Sequence, residues 1–196
     1  IESDGAGTLL STPQCVFPRN PEYTPELLEQ KLIDELRMQR ILWLHSGHLE
    51  NDDTDGHIDT LARFCTTESI AYVACTQKKD PLYEGFLRMQ QELEAFRTLN
   101  GKPYSLFPLP LPTVFNRQNQ RLPATYANFL IINEKVLVPI YGEKEDQEAL
   151  SVLKQAFPKH QVVGILCRSL VHQYGSLHCV TMQIPSVTMQ IPTSLF

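Results

Sequence analysis

The 196-residue sequence has no paired cysteine framework: Cys15, Cys65, Cys75, Cys167 and Cys179 are odd in number and none belongs to a C-x-x-C pair. That argues against a disulfide-stapled scaffold and leaves free thiols in a reducing compartment as the expectation. No apolar run reaches the roughly 18 residues needed to cross a bilayer, and no basic segment followed by an apolar one opens the chain. A cytoplasmic location without a membrane partner is therefore expected. An excess of positive charge is also missing, since the formal net charge is -5, so no nucleic-acid partner is expected. What remains, 42% hydrophobic and 20% charged over 196 residues, is ordinary globular composition with enough chain for a real core. The sequence starts at Ile1 rather than Met, which reads as the later part of a longer protein.

Periodicity organises most of the chain. "IESDGAGTLL" reads as a strand running into a glycine-rich turn, and "TPELLEQKLIDEL" as a helix over about 25 to 39. Thr24 caps that helix, Pro25 takes its first position, and Leu28, Leu32 and Leu36 form its stripe. "RILWL" at 40 to 44 and "SIAYVAC" at 69 to 75 read as strands, and "PLYEGFLRMQQELEAFRTLNG" as a helix stopped by Asn100 and Gly101. Leu82, Phe86, Leu93 and Phe96 mark its buried face. "YSLFPLPLP" is extended because of its prolines, and "FLIINEKVLVPIY" reads as two strands around a turn at Asn133 to Lys135. A helix at about 145 to 157, carrying Leu150, Leu153 and Phe157, precedes the strand "VVGIL", and "HCVTMQI" reads as a last strand. Three helices, each followed at once by a strand, repeat at roughly 60-residue spacing. Laying Trp43 on Ile165 places His57 on Cys179, so equivalent loops would carry a histidine and a cysteine. Around a common axis such loops converge. The doubled hexapeptide "VTMQIP" at 180 to 185 and 187 to 192 is too short to be a folding unit and reads as a final strand and a tail.

The segment "DDTDGHID", Asp52 to Asp59, packs four aspartates and a histidine into eight positions with hardly any apolar residue between them. Asn51, Asp53, Asp55 and Gly56 fall on positions 1, 3, 5 and 6 of an EF-hand loop, but position 12 is Ala62 rather than glutamate, so the calcium pattern fails. His57 and Asp59 lack a third ligand at zinc spacing. A solvated acidic turn is the plain reading. Against it, "HIDTLARF" puts His57 and Asp59 on one side of an extended segment and leads into apolar structure. Carboxylates held against a core call for a cation, and a planar guanidinium suits paired carboxylates through fork-like hydrogen bonds.

Cys15, Cys65, Cys75 and Cys167 sit within or beside apolar runs and read as small hydrophobes. Cys179 follows "HQYGSLH", a loop with a glycine and two histidines. A nucleophilic role would need a cationic neighbour or substrate to generate the thiolate. His178, adjacent on a strand, would face away, which makes His57 the partner. The residues alone leave a buried structural cysteine and a nucleophile equally open.

"DDTDGHIDTLARF", "LPATYANFLIINEKVLVPIYG", "FPKHQVVGI" and "LHCVT", in that order, closely resemble the later part of agmatine deiminases, of the Porphyromonas-type peptidylarginine deiminase family; "DGAGTLLSTPQCVFPRNP" resembles the segment after that family's Glu-Gly-Gly motif. The resemblance implies an α/β fold, the five-bladed α/β-propeller (pentein) of ββαβ-type units, with only the later blades present: a partial catalytic domain over 1–185 and a tail over 186–196. It implies hydrolysis of the guanidinium of agmatine to N-carbamoylputrescine and ammonia. In that reading Cys179 attacks the guanidinium carbon, His57 shuttles protons, Asp59 grips the nitrogens and Asp53 is a further binding residue. A covalent thiouronium links the two half-reactions, and neither metal nor organic cofactor is required. Self-association into a homo-oligomer is left open.

Two departures accompany the resemblance. The family's run of three glycines before the cysteine appears as "QYGSLHC" with one. The family's earlier part, which supplies a second aspartate, a glutamate and an aromatic lid, is not in these 196 residues, so an incomplete site and exposed core are expected. Peptidylarginine or free-arginine deimination is the nearest rival activity. A non-catalytic module that binds guanidinium or polyamine cations is the rival of another class, disfavoured because a binder needs no thiol.

Overall fold

A computed structural model describes residues 1–182. The second copy of "VTMQIP", the end of the first and the tail over 186–196 lie outside the described residues. The described residues build three sheets, each of three strands. The first joins β1 (Glu2–Ser3), β2 (Thr8–Ser11) and β3 (Arg40–Trp43); the second β4 (Ala62–Thr66), β5 (Ser69–Ala74) and β6 (Ser105–Pro110); the third β7 (Leu130–Ile132), β8 (Lys135–Ile140) and β9 (Gln161–Leu166). In every sheet the first pair is antiparallel and the second parallel. A parallel neighbour requires a crossover. The crossovers carry α1 (Pro13–Val16) and α2 (Pro25–Leu36), then α3 (Tyr83–Ala95), then α4 (Asp146–Ala156). The unit is thus ββαβ, made three times among the described residues, where the sheets stay separate from one another.

Several boundaries differ from the sequence reading for local reasons. α2 stops at Leu36 rather than 39 because Arg37 turns left-handed (φ 54) and Met38 N donates to Ile33 O at 2.8 Å, a Schellman closure made without glycine. Only Leu28 of its stripe is buried; Leu36 is 37% exposed. α3 ends at Ala95, and Asn100 and Gly101 instead turn the chain between bridged Arg97 and Pro103. The proline-rich stretch is β6, tolerated because it is an outer strand of its sheet. The strand expected from His178 onward is, where described, a short 3-10 turn, His178–Val180. α5 (Arg168–Val171) lies between β9 and that turn.

One continuous core runs through the three units, with Phe86, Met89 and Leu93 of α3, Tyr126 and Phe129 ahead of β7, Tyr141 after β8 and Leu153 of α4 among its members. Asp146 opens α4 by accepting from the N–H groups of Tyr141, Gly142 and Glu143 and from the Tyr126 hydroxyl at 2.7 Å. β1, β4 and β7 border a cavity of about 790 Å³ with His178 on its wall. Beside it the side chains Ile131 and Ile132 are exposed. No helix among the described residues is long and apolar enough to cross a membrane.

Candidate active site

Three connections leave the third strands of the three units, and each supplies part of one polar cluster. The connection after β3 carries His57 and Asp59, that after β6 carries Asn128, and that after β9 carries His178 and Cys179.

The aspartate-rich loop is fixed mostly from within. Asp52 accepts from Thr54 N, Thr54 Oγ1 and Gly56 N at 3.0, 2.6 and 2.9 Å, an Asx-type turn. Asp55 pairs with exposed Arg19 at 3.3 Å. Gly56 O receives the buried Thr12 hydroxyl at 2.7 Å, which pins the loop to the first unit. The segment that follows is a 3-10 turn, Ile58–Thr60, rather than the extended segment expected. Ile58 still faces the core at 2% exposure, while His57 is exposed and Asp59 half-buried. The turn replaces strand alternation with steps of about 120° per residue.

Asp59 is the acidic centre of the cluster. Its Oδ2 accepts from Asn128 Nδ2 at 2.9 Å and lies 2.7 Å from His178 Nδ1. Burial acts to raise the carboxyl, but the hydrogen bond and charge of His178, with Arg63 and His57 adding to them, hold it below its ordinary value of 3.8. Asp59 is thus a carboxylate at neutral pH. Arg63 is itself buried; its Nε approaches Glu2 at 2.7 Å without aiming its N–H at the oxygen, and its Nη1 donates to Phe129 O at 2.6 Å.

Cys179 is exposed as a residue, but its sulfur faces inward, 3.4 Å from Asn128 Oδ1. Burial of that sulfur raises the thiol, and the charge of Asp59 adds to the rise against an opposing backbone hydrogen bond at Ser176. The preceding loop is held by the fully buried Tyr141 hydroxyl, 2.7 Å from Ser176 Oγ. By contrast Cys65 is pushed up to about 12, chiefly by burial, and packs as an inert thiol.

The structure therefore brings Cys179, Asp59 and the turn carrying His57 to one place. Among the described residues neither the His57 ring nor the exposed Asp53 carboxylate makes a hydrogen bond or ion pair. The expectation that His178 faces away is overturned: it bonds Asp59 directly, because residues 178 to 180 form a turn in place of a strand. Asn128 was missed altogether. The signal was available, since a polar residue inside the apolar run "YANFLII" must find buried partners. A second cleft, of about 410 Å³ at the ends of β5 and β6, is lined by none of the cluster residues.

The profile of the family described as Porphyromonas-type peptidyl-arginine deiminase matches residues 1–185. A Marinomonas protein named "Putative agmatine deiminase" is 34% identical, over 94% of this chain and 55% of its own length. The solved structure titled "Putative Arginine Deiminase from Porphyromonas gingivalis" superposes with a TM-score of 0.91 at 49% identity, over 94% of this chain and 55% of that one. The agmatine deiminase of C. jejuni, solved as a cysteine-to-serine variant with substrate bound, gives a TM-score of 0.85 at 35% identity, over 91% and 53%. The chain spans about half the length of the curated relatives it matches.

Proposed function

The chain belongs to the Porphyromonas-type peptidyl-arginine deiminase family, and from that premise we propose that its site hydrolyses the guanidinium group of agmatine to N-carbamoylputrescine and ammonia. One observation carries the reading. A single amide, Asn128, joins the carboxylate of Asp59 to the thiol of Cys179, so a group suited to a cation and a nucleophile share one small space.

Guanidinium is protonated at physiological pH and its carbon is a poor electrophile until it is fixed beside a thiolate. A cation seated on Asp59 neutralises the charge that opposes ionisation of Cys179 and adds a positive charge of its own. The sulfur then bonds to the guanidinium carbon, and the thiol proton passes to His57. His57 returns a proton to the departing nitrogen, the C–N bond breaks, and ammonia leaves a thiouronium on sulfur. Water, deprotonated by His57, attacks the same carbon; the C–S bond breaks and the ureido product forms. The sum is guanidinium plus water to urea plus ammonium, with no redox change. Asp53, exposed in the same loop, is the further carboxylate of this proposal. The remaining family features belong here too: a five-bladed propeller to which this chain contributes a partial domain over residues 1–185, and a cytoplasmic setting that suits five free thiols.

Deimination of arginine or peptidyl arginine is the second reading, favoured by the 49% identity to the P. gingivalis protein named "Putative Arginine Deiminase". Ammonia release by the full-length protein from agmatine, arginine and an arginine peptide separates the two. Cys179→Ala is expected to abolish turnover while agmatine still binds; an unchanged rate ends the covalent reading. Binding without turnover in the parent protein would instead assign a cation-binding role.

A further inference from the structure

Asn128 is fully buried between β6 and β7, on the one connection that reaches both halves of the cluster. Its Nδ2 donates to Asp59 Oδ2 at 2.9 Å and, more weakly, to Asp59 O at 3.4 Å. Its Oδ1 accepts from His178 N at 2.8 Å and Cys179 N at 3.3 Å, and the Cys179 thiol donates to it at 3.4 Å. Chemistry fixes which end of the amide is which. A carboxylate only accepts and a backbone N–H only donates, so the flipped amide would set acceptor against acceptor and donor against donor. Aspartate has the same shape but offers two acceptors, and glutamine is longer by a methylene.

We infer that Asn128 is the positioning residue of this site, a two-ended clamp that holds the Asp59 carboxylate and the Cys179 thiol against opposite ends of one amide. The kinetic part of this inference rests on the deiminase reading. The clamp acts between loops more than 100 positions apart in the chain, neither of which has secondary structure beyond a single 3-10 turn at this point. Without it, Asp59 keeps only the His178 contact, the N–H of Cys179 loses its acceptor, and the N–H of His178 keeps only the backbone carbonyl of residue 128 at 3.2 Å.

The decisive variant is Asn128→Asp in the full-length protein. Two touching carboxylates share one proton, and the protonated form restores a donor toward Asp59 and an acceptor toward residues 178 and 179. Near pH 5 the variant should approach the parent kcat. As pH rises and the pair ionises, the ratio of variant to parent kcat should fall roughly ten- to hundredfold, with KM for agmatine changing less than kcat. Independently of any substrate, the pH inflection for iodoacetamide alkylation of Cys179, read by peptide mass spectrometry, should move upward. A kcat ratio flat in pH together with an unmoved inflection overturns the inference. If Asn128→Asp does not fold, Asn128→Ser removes both ends of the clamp without adding charge, and parent-like kcat there overturns it equally. A parent protein that releases no ammonia defeats the deiminase reading alone, because the alkylation shift still reports the clamp.

Discussion

Asp59 shows how one residue couples chemistry to stability. Its carboxyl is held below 3.8 in the folded protein, against burial, by the hydrogen bond and charge of His178, with smaller contributions from Arg63 and His57. The sign follows directly. The unfolded chain binds a proton at this carboxyl at higher pH than the native protein does, so the contribution is complete above the unfolded value and is lost as pH falls through the folded one. Asp80 behaves alike: burial opposes it, and the two 2.9 Å contacts from Arg121 Nη1 hold it down. Melting temperature should therefore drop as pH is lowered below about 4, and Asp59→Asn should make that acid limb shallower. An equally steep limb in the variant would show that Asp59 is not one of its causes. Asp59 and Cys179, both singled out in the sequence, meet on one amide in the structure, although the residues alone left Cys179 open between a structural thiol and a nucleophile. His178 was hidden by an assumption about its neighbour: in a strand, residues 178 and 179 oppose each other, whereas in a 3-10 turn they do not.

Elements were read well wherever burial alone decided them. α3 and α4 carry apolar residues at helical spacing, and Phe86, Leu93 and Leu153 are buried as that spacing demands. The failures sit where a distant partner sets the local backbone. The chain after Leu177 has the composition of a strand, but Asn128, some fifty positions earlier, captures two successive N–H groups and turns it. No local pattern contains that bond. β4, immediately after the 3-10 turn, was not resolved from the loop before it. Equal-looking leucines also diverge, since Leu153 on α4 is fully buried and Leu36 at the end of α2 is 37% exposed. Leu153→Ala should cost about 2–5 kcal/mol, whereas Leu36→Ala should stay within about 0.5 kcal/mol. Urea unfolding of both variants checks this, and similar midpoints would mean that α4 does not pack as described.

At the scale of the molecule, the candidate site is assembled by three repeats that deliver three loops to one place. The repeat was visible in the sequence as helix-then-strand spacing, and the register that set His57 against Cys179 placed both in connections following a third strand. The middle repeat contributes neither histidine nor thiol but an amide, which is why the symmetry alone did not reveal it. Because the cluster exists only when all three units are docked, a ligand of the cluster binds the folded protein and not the unfolded chain. Linkage then requires stabilisation by RT ln(1 + [L]/Kd), about 2.7 kcal/mol at a hundredfold excess over Kd. For roughly 150–250 folded residues that is a rise of roughly 5–10 °C in melting temperature, and proportionately less in a longer chain. The full-length Cys179→Ala protein, unable to turn agmatine over, should show this rise with agmatine and not with putrescine, which has the amines but lacks the planar guanidinium. Adding Asp59→Asn should remove most of the rise, since the carboxylate that faces the cation is then neutral. An equal response to putrescine would mean that charge alone is being bound, and the assignment of a guanidinium site would fall with it.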